Sequence, residues 1–301
     1  MLKTGIKKEL MFFTRSFKMG GIIIAAIVLA IASPLLMKFS AVMIGGIDSV
    51  EDYGDSEISL SYALDFSEGT NVNEKNTASL YPDDLMSMFE EENLASLGVI
   101  SAYNDLTATL MLIFMIVTMY TAGGELKKRS MIIPQNAGLS TRLYVLPKFL
   151  VYPLAAAVFA FLGILASGLV TMLVFGDAFR VSIEQILLVA LMAAVYDAFI
   201  STLYFTLGLC TTRAGVATII LYGGSAILST LFASFGADKF HPFAFSSEVQ
   251  NIILTEEGAD MTNIFGSIGV SLLLMLLCYF ITVFVISAKR VDNMGREEIE
   301  L

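Results

Sequence analysis

The sequence is poor in charged residues and in the side chains that most often carry catalysis. Asp, Glu, Lys and Arg make up 15% of its 301 residues, whereas an average soluble domain contains about 25%. It contains one histidine, two cysteines and no tryptophan. Both cysteines, Cys210 and Cys278, lie inside apolar runs. We therefore expect neither a disulfide framework nor a thiolate metal site.

Recognisable catalytic motifs are also missing from the sequence. It has no HExxH zinc motif, no GxSxG nucleophile motif and no glycine-rich phosphate loop that ends in Gly-Lys-Ser/Thr. We therefore expect that this chain is not an enzyme. We also expect no catalytic residues and no cofactor or metal of its own. The net charge of −10 argues against a nucleic-acid partner.

Apolar residues, in contrast, are abundant. They make up 56% of the chain, and the mean hydropathy is +0.76, which exceeds what a soluble core of this size can bury. A helix that crosses a bilayer needs about 20 mostly apolar residues. The sequence therefore predicts an all-α polytopic membrane protein in the lipid bilayer. Its six expected spans are residues 20–44, 105–122, 147–175, 183–210, 214–235 and 263–287.

The distribution of Lys and Arg predicts the orientation of the chain. Loops on the cytoplasmic side of a membrane are enriched in these residues. In the six-span arrangement, 14 of the 18 Lys and Arg residues fall on one side. We therefore expect a cell-membrane protein with both termini cytoplasmic, including a cytoplasmic tail at 288–301.

The segments between the spans carry predictions of their own. Residues 1–19 have a basic face and an apolar face, which favours an amphipathic helix in the membrane interface over a plain basic flank. Residues 45–104 form an acidic exterior subdomain, and their alternating stretch 57–66 predicts a β-strand. This acidity suits either a funnel for a cationic cargo or an ordinary solvated surface. Residues 236–262 are expected to be an exterior re-entrant or connecting segment because of their aromatic residues.

Asp197 is the most informative single residue. It lies near the middle of the fourth span, and Ser201 and Tyr204 follow it at +4 and +7 on the same helix face. A carboxyl group at this depth is costly and often marks function. We therefore interpret Asp197, Ser201 and Tyr204 as part of a transport path or as a lock between helices, and a hydrogen-bonded packing residue is the alternative.

The order of these parts resembles the membrane subunit of ABC-type exporters of the ABC-2 permease class. The opening KKELMFFTRSFKMGGIII is similar to the cytoplasmic elbow helix of that family. The cytoplasmic loop at 123–146 resembles the family's coupling loop, which begins near a Glu, continues through basic residues and reaches a Lys before the third span. The matching positions here are Glu125, Lys127, Lys128, Arg129 and Lys148.

This resemblance implies a permease that works as a pair, most simply as a homodimer of two copies. Separate ABC-type ATP-binding subunits would dock on the cytoplasmic loops and would bind the ATP and magnesium. The partner-coupling residues would be Glu125, Lys127, Lys128 and Arg129. The cargo would be a peptide, a drug or a lipid-like molecule.

Two other classes of function remain open from the sequence. One is an ion- or proton-coupled secondary transporter that uses Asp197, although the two halves of the chain show no clear repeat. The other is a membrane module that regulates a partner and transports nothing. A neighbouring gene for an ATP-binding cassette would favour the exporter.

The charge asymmetry yields a direct test of the topology. Cysteines placed at Ser67 and Ser130 should lie on opposite sides of the membrane. In intact cells, a membrane-impermeant thiol reagent should label the first cysteine and leave the second unlabelled. Equal labelling of the two positions would contradict the six-span arrangement.

Overall fold

The computed structural model describes residues 2–15, 17–45, 91–127, 138–211, 213–234, 242–254 and 261–297. The described residues contain helices and no β-strand. Five helical stretches are long and apolar enough to cross a membrane: Gly20–Phe39, Asn93–Glu125, Thr141–Ala178, Ile183–Cys210 and Met261–Ala288. The chain is therefore an α-helical, multi-pass type of membrane protein, as the sequence predicts at this level.

The described residues form nine α-helices. In chain order they are α1 (Leu2–Arg15), α2 (Phe17–Gly45), α3 (Glu91–Tyr120), α4 (Ala122–Lys127), α5 (Thr141–Phe175), α6 (Ile183–Cys210), α7 (Ala214–Ser234), α8 (Phe245–Leu254) and α9 (Met261–Glu297). Short 3-10 turns follow α5 and precede α8.

Helical residues lie in each of the six predicted spans, but several helices extend beyond the predicted bounds. Helix α3 contains residues 91–104, which were assigned to the exterior subdomain, because their apolar side chains such as Leu94 and Val99 are buried in the bundle. Helix α5 begins at Thr141, within the predicted loop 123–146, and α9 continues to Glu297, within the predicted tail 288–301. The predicted strand at 57–66 and the other residues from 46 to 90 lie outside the described part.

Local sequence signals explain where two of the long helices begin. The hydroxyl oxygen of Ser140 accepts a hydrogen bond from the Leu143 amide (3.4 Å) at the start of α5. At the start of α6, Ser182 and Gln185 form a reciprocal capping box. Helix α5 ends at Gly176, whose φ of 53° is a conformation that glycine adopts most readily.

Helices α5 and α6 form the centre of the bundle, and small residues let their neighbours come close. A Cβ atom at Gly163 of α5 would lie 2.5 Å from the Leu106 side chain of α3. A Cβ at Gly208 of α6 would lie 2.8 Å from Thr118 and 3.0 Å from Ala122. Van der Waals packing of this kind holds helices together where lipid supplies no hydrophobic driving force.

The described part of the segment 236–262 packs along α6. Phe243 and Phe245 meet Phe199 and Tyr196, with ring centroids 5.8 Å and 6.3 Å apart. Further along, the Gln185 side chain donates a hydrogen bond to the Ile252 carbonyl (2.7 Å). Helix α8 therefore runs along α6 from its middle back to its start.

The bundle has two distinguishable ends. We call the end with α1, α4 and the start of α5 the α1 end, and it is the end predicted to be cytoplasmic. At the opposite end, the Lys38 ammonium group of α2 donates to the Val174 carbonyl in the last turn of α5. It also lies 5.6 Å from the centroid of the Phe175 ring. A cation is favoured there by the partial negative charge of a helix C-terminus.

Candidate functional site

Helix α1 contacts the bundle through one narrow face. Gly5, Glu9 and Phe13 are spaced four residues apart, so they lie on the same side of the helix. A Cβ at Gly5 would lie 2.8 Å from the Pro147 ring, which shows how closely α1 approaches α5. The Phe13 ring meets the Tyr152 ring edge-on, with centroids 5.7 Å apart. Glu9, which lies between these two contacts, is consequently only 5% exposed.

Helix α5 presents a matching row of polar side chains. Tyr144, Lys148 and Tyr152 are also four residues apart, and all three are buried. Lys148 is 1% exposed, which is unusual for a lysine. The short helix α4 brings Glu125, in its first turn, to the same place. Three separate helices thus contribute ionisable groups to one site.

These side chains form a connected network around the Lys148 ammonium group. Its Nζ atom lies 2.8 Å from Oε1 of Glu9 and 3.0 Å from Oε1 of Glu125. The Tyr144 hydroxyl donates to Oε2 of Glu125, and the Tyr152 hydroxyl donates to Oε2 of Glu9 (3.3 Å). The ammonium group also lies 5.3 Å from the Tyr144 ring centroid. We call these five residues the Lys148 cluster.

The network compensates the cost of burying charge. Removing an ammonium group or a carboxylate from water costs several kcal/mol, and a buried ion pair is tolerated when further hydrogen bonds satisfy its remaining atoms. Here each carboxylate accepts one bond from Lys148 and one from a tyrosine. The cluster therefore fixes the positions of α1, α4 and α5 relative to one another.

A stacked pair of aromatic rings connects the Lys148 cluster to the centre of the bundle. The rings of Tyr152 and Phe205 are 4.4 Å apart between centroids, with an angle of 25° between their planes. Phe205 belongs to α6 and is fully buried. Tyr152 thus contacts a carboxylate of α1 through its hydroxyl group and α6 through its ring.

Only one of the predicted coupling residues has a described side chain. Glu125 is part of the Lys148 cluster, where its carboxylate bonds within the chain. Lys127 is the last residue of α4, and its side chain is not described. Lys128 and Arg129 lie outside the described residues.

Glu9, Tyr144 and Tyr152 were not predicted as site residues, and Lys148, which was matched to the family's coupling-loop pattern, lies in α5 within the predicted third span. One signal was present in the sequence. The four-residue spacing of Tyr144, Lys148 and Tyr152 places all three on one helix face. Nothing in the sequence indicates that Glu9 is their partner, because 139 positions separate it from Lys148.

Asp197 lies in a second polar site, separate from the Lys148 cluster, in the interior of the bundle. It is 3% exposed, and Ser201 and Tyr204 are buried beside it on α6. The face that they share is directed toward α3, since Gly208, one turn further along, meets Thr118 and Ala122. The expected common face of Asp197, Ser201 and Tyr204 is therefore present and is covered by a neighbouring helix.

The polar atoms around Asp197 are not satisfied within the described structure. Oδ2 of Asp197, Oγ of Ser201 and the hydroxyl oxygen of Tyr204 are buried without a hydrogen-bond partner. An unsatisfied buried polar group costs about 1–3 kcal/mol. The polar atoms around Asp197 therefore lower the stability of the fold, because they lack the hydrogen bonds that compensate the buried charges of the Lys148 cluster.

Neither place has the donor set of a metal centre. The described residues contain no group of three or more His, Cys, Asp or Glu side chains able to hold a metal ion. No protein-family model matches this chain, and no significant similarity links it to a curated protein or to a solved structure.

Removal of the central cation should destabilise the Lys148 cluster strongly. Lys148→Met leaves Glu9 buried without its countercharge, which costs about 3–5 kcal/mol for a broken buried pair. We expect a clear fall in the melting temperature of the purified protein in detergent. The double variant Glu9→Gln with Lys148→Met should recover a large part of the loss. Lys8→Met is the control, because Lys8 is exposed and lies 3.9 Å from Glu9. Equal melting of all variants would contradict the ion pairing.

Removal of the Asp197 carboxyl group, whose Oδ2 atom has no hydrogen-bond partner, should instead be tolerated. Asp197→Leu replaces a buried carboxyl group by an apolar side chain and removes an unsatisfied oxygen. We expect it to leave the free energy of unfolding unchanged or to raise it by about 1–3 kcal/mol. Thermal unfolding of Asp197→Leu beside Asp197→Asn measures this effect. A marked loss of stability in the leucine variant alone would show that the carboxyl group has a polar partner.

Proposed function

We propose that this chain is the transmembrane permease subunit of an ATP-driven exporter of the ABC-2 class. The observation that carries the proposal is the Lys148 cluster. It joins an amphipathic N-terminal helix, a short helix that follows a membrane-spanning helix, and the start of the next long helix. These are the parts that an exporter of this class uses to receive a movement from its ATP-binding subunit.

The finer architecture belongs to the same proposal. Six spans are formed when α7 completes a crossing between α6 and the segment that contains α8. Helix α1 is the elbow helix, lying in the interface with Lys3 and Lys7 exposed. Both termini are cytoplasmic in the cell membrane, and a second copy of the chain completes the permease. ATP and magnesium are bound by the separate ATP-binding subunits.

The coupling mechanism follows from how the three helices are connected. Helix α4 and the loop after it, with Lys127, Lys128 and Arg129, form the surface that the ATP-binding subunit grips. A push on α4 moves Glu125 and, through Lys148, also moves α1 and the start of α5. The stacked rings of Tyr152 and Phe205 pass that movement to α6. Because packed interiors rearrange between discrete states, a small displacement at this end changes the arrangement of the spans.

One observation favours a second candidate function. The unpartnered Oδ2 atom of Asp197 is what a proton- or ion-binding group in a membrane would present. An ion- or proton-coupled secondary transporter would use this group and would need no ATP-binding partner. The energy source therefore separates the two candidates.

The exporter proposal predicts a specific defect in the variant Glu125→Ala. This variant removes one of the two carboxylates bound to Lys148 and should weaken the connection between α4 and α5. In lipid vesicles containing the chain with its ATP-binding subunit, we expect transport per ATP hydrolysed to fall about tenfold, while membrane insertion is preserved. A tenfold change corresponds to about 1.4 kcal/mol of coupling free energy.

Glu184→Ala is the matched control. Glu184 also lies in the first turn of a helix, but it is exposed at the opposite end of the bundle. The Glu184→Ala variant should transport cargo and support ATP hydrolysis at normal rates. Normal coupling in Glu125→Ala would refute the assigned role of α4. Transport that depends on a proton gradient and needs no ATP would replace the exporter by the second candidate.

A further inference from the structure

Helix α1 has a second face, which points away from the bundle. Each residue turns an α-helix by about 100°, so residues two positions apart point to nearly opposite sides. The face that contacts α5 consists of Gly5, Glu9 and Phe13. The opposite face therefore consists of the residues two positions before and after each of these. Their side chains are all exposed, and we call them the basic stripe: Lys3, Lys7, Met11 and Arg15.

The exposed charges of α1 are all positive. Its sequence contains the three basic residues of the stripe, a further lysine, Lys8, and a single acid, Glu9. Glu9 is buried and bonds to Lys148, so it does not neutralise the outer surface of the helix. The chain as a whole has a net charge of −10, so this positive surface is a local exception. It is suited to an anionic partner.

Contacts with α5 locate the basic stripe along the direction that crosses the membrane. Gly5 lies against Pro147, and the Phe13 ring meets the Tyr152 ring. Pro147 and Tyr152 precede the end of α5 at Phe175 by 28 and 23 residues, or by about 42 Å and 35 Å at 1.5 Å per residue. Helix α1 therefore lies about 35–42 Å from the far end of α5.

This distance matches the separation of the two headgroup layers of a bilayer. The hydrocarbon core is about 30 Å thick, and the bilayer with its headgroups is about 40–45 Å thick. At the far end of α5, the Lys38 ammonium group lies 5.6 Å from the Phe175 ring centroid. A lysine near a helix end extends its charge into the polar layer, so Phe175 marks one edge of the hydrocarbon. The basic stripe consequently lies in the headgroup layer of the leaflet at the α1 end.

Apolar side chains complete the outer surface of α1. Met11 lies between Lys7 and Arg15, and these three side chains border one open groove. Leu10 and Phe12 flank the stripe, and they are 50% and 53% exposed. A helix that combines basic and exposed apolar side chains binds where lipid headgroups and acyl chains meet. Charge, depth and the apolar side chains thus favour lipid over an acidic protein surface as the partner.

We propose that the basic stripe binds the headgroups of anionic phospholipids in the leaflet at the α1 end. Lys7 and Arg15 donate charge-assisted hydrogen bonds to the lipid phosphate groups, and Met11 packs against the upper part of an acyl chain. The two faces of α1 therefore have different partners: the carboxylate of Glu9 binds Lys148 within the chain, and the basic stripe binds lipid outside it. This lipid selectivity goes beyond the proposed transport function and does not depend on it.

Quenching by labelled lipids tests this site. The experiment uses the full chain in phospholipid vesicles, with Cys210 and Cys278 replaced by alanine. A fluorophore attached through Met11→Cys reports which lipids lie beside the basic stripe. The vesicles contain a small fraction of spin-labelled lipid, either anionic phosphatidylglycerol or zwitterionic phosphatidylcholine. We expect phosphatidylglycerol to quench at least about fivefold more effectively, which is the change in affinity that one basic side chain near an anionic surface contributes.

Two double variants carry a matched change of charge. Lys7→Gln with Arg15→Gln removes two positive charges from the basic stripe and should abolish the preference for phosphatidylglycerol. Arg142→Gln with Arg213→Gln removes two exposed positive charges elsewhere at the α1 end and should preserve it. Arg142 lies in the first turn of α5, and Arg213 precedes Ala214, which lies close to Gly123 of α4. Melting temperatures in detergent verify that each variant is folded.

Three results would overturn the inference. Equal quenching by the two lipids would mean that the basic stripe does not select anionic lipid and that another partner, such as an acidic protein surface, covers it. Equal loss of the preference in both double variants would assign it to the total charge of the α1 end. Suppression of the preference by millimolar glycerol phosphate would mean that the stripe binds a free phosphate group. The measurement needs neither ATP nor a partner subunit, so its result is independent of the transport test.

Discussion

The buried ammonium group of Lys148, held between Glu9 and Glu125, is the interaction on which the organisation of the α1 end depends. It brings together residues from three helices that are far apart in the sequence. Without the countercharges, each of these groups would be too costly to bury. Each carboxylate also accepts a hydrogen bond from a tyrosine hydroxyl. The Tyr152 ring stacks on Phe205 of α6. These ion pairs thus position α1 against the start of α5.

Three polar sites of the molecule differ in burial and in hydrogen bonding. The Lys148 cluster is buried and its polar atoms are hydrogen-bonded, so loss of one partner would leave an uncompensated charge. Asp197 is buried and one of its oxygens is unsatisfied, so it costs stability. Asp105 of α3 is exposed and accepts hydrogen bonds from Ser33 and Ser101. Carboxyl groups of this kind within long apolar helices are candidates for a functional role.

The positions of the helices could be predicted well, because each depends on a continuous run of apolar residues. The predicted span 183–210 coincides with α6, and Ser182 with Gln185 marks its start. The start of α3 was less predictable. Residues 91–104 contain Glu91, Glu92 and Asn104, whose polarity suggests an exterior segment. Their apolar side chains are nevertheless buried against the bundle, so the helix begins earlier than the hydropathy indicates.

The apolar runs are enough to predict a helical membrane protein and the positions of most of its long helices, and residue spacing predicts the common face of Asp197, Ser201 and Tyr204. These properties follow from composition and from the 3.6-residue period of the helix, both of which are local. The folded arrangement of the helices is needed to learn that Glu9 pairs with Lys148, that Glu125 bonds within the chain, and that Asp105 is exposed while Asp197 is covered. Such pairings depend on which helix faces which, and packing of side chains such as Leu106 against Gly163 selects that arrangement.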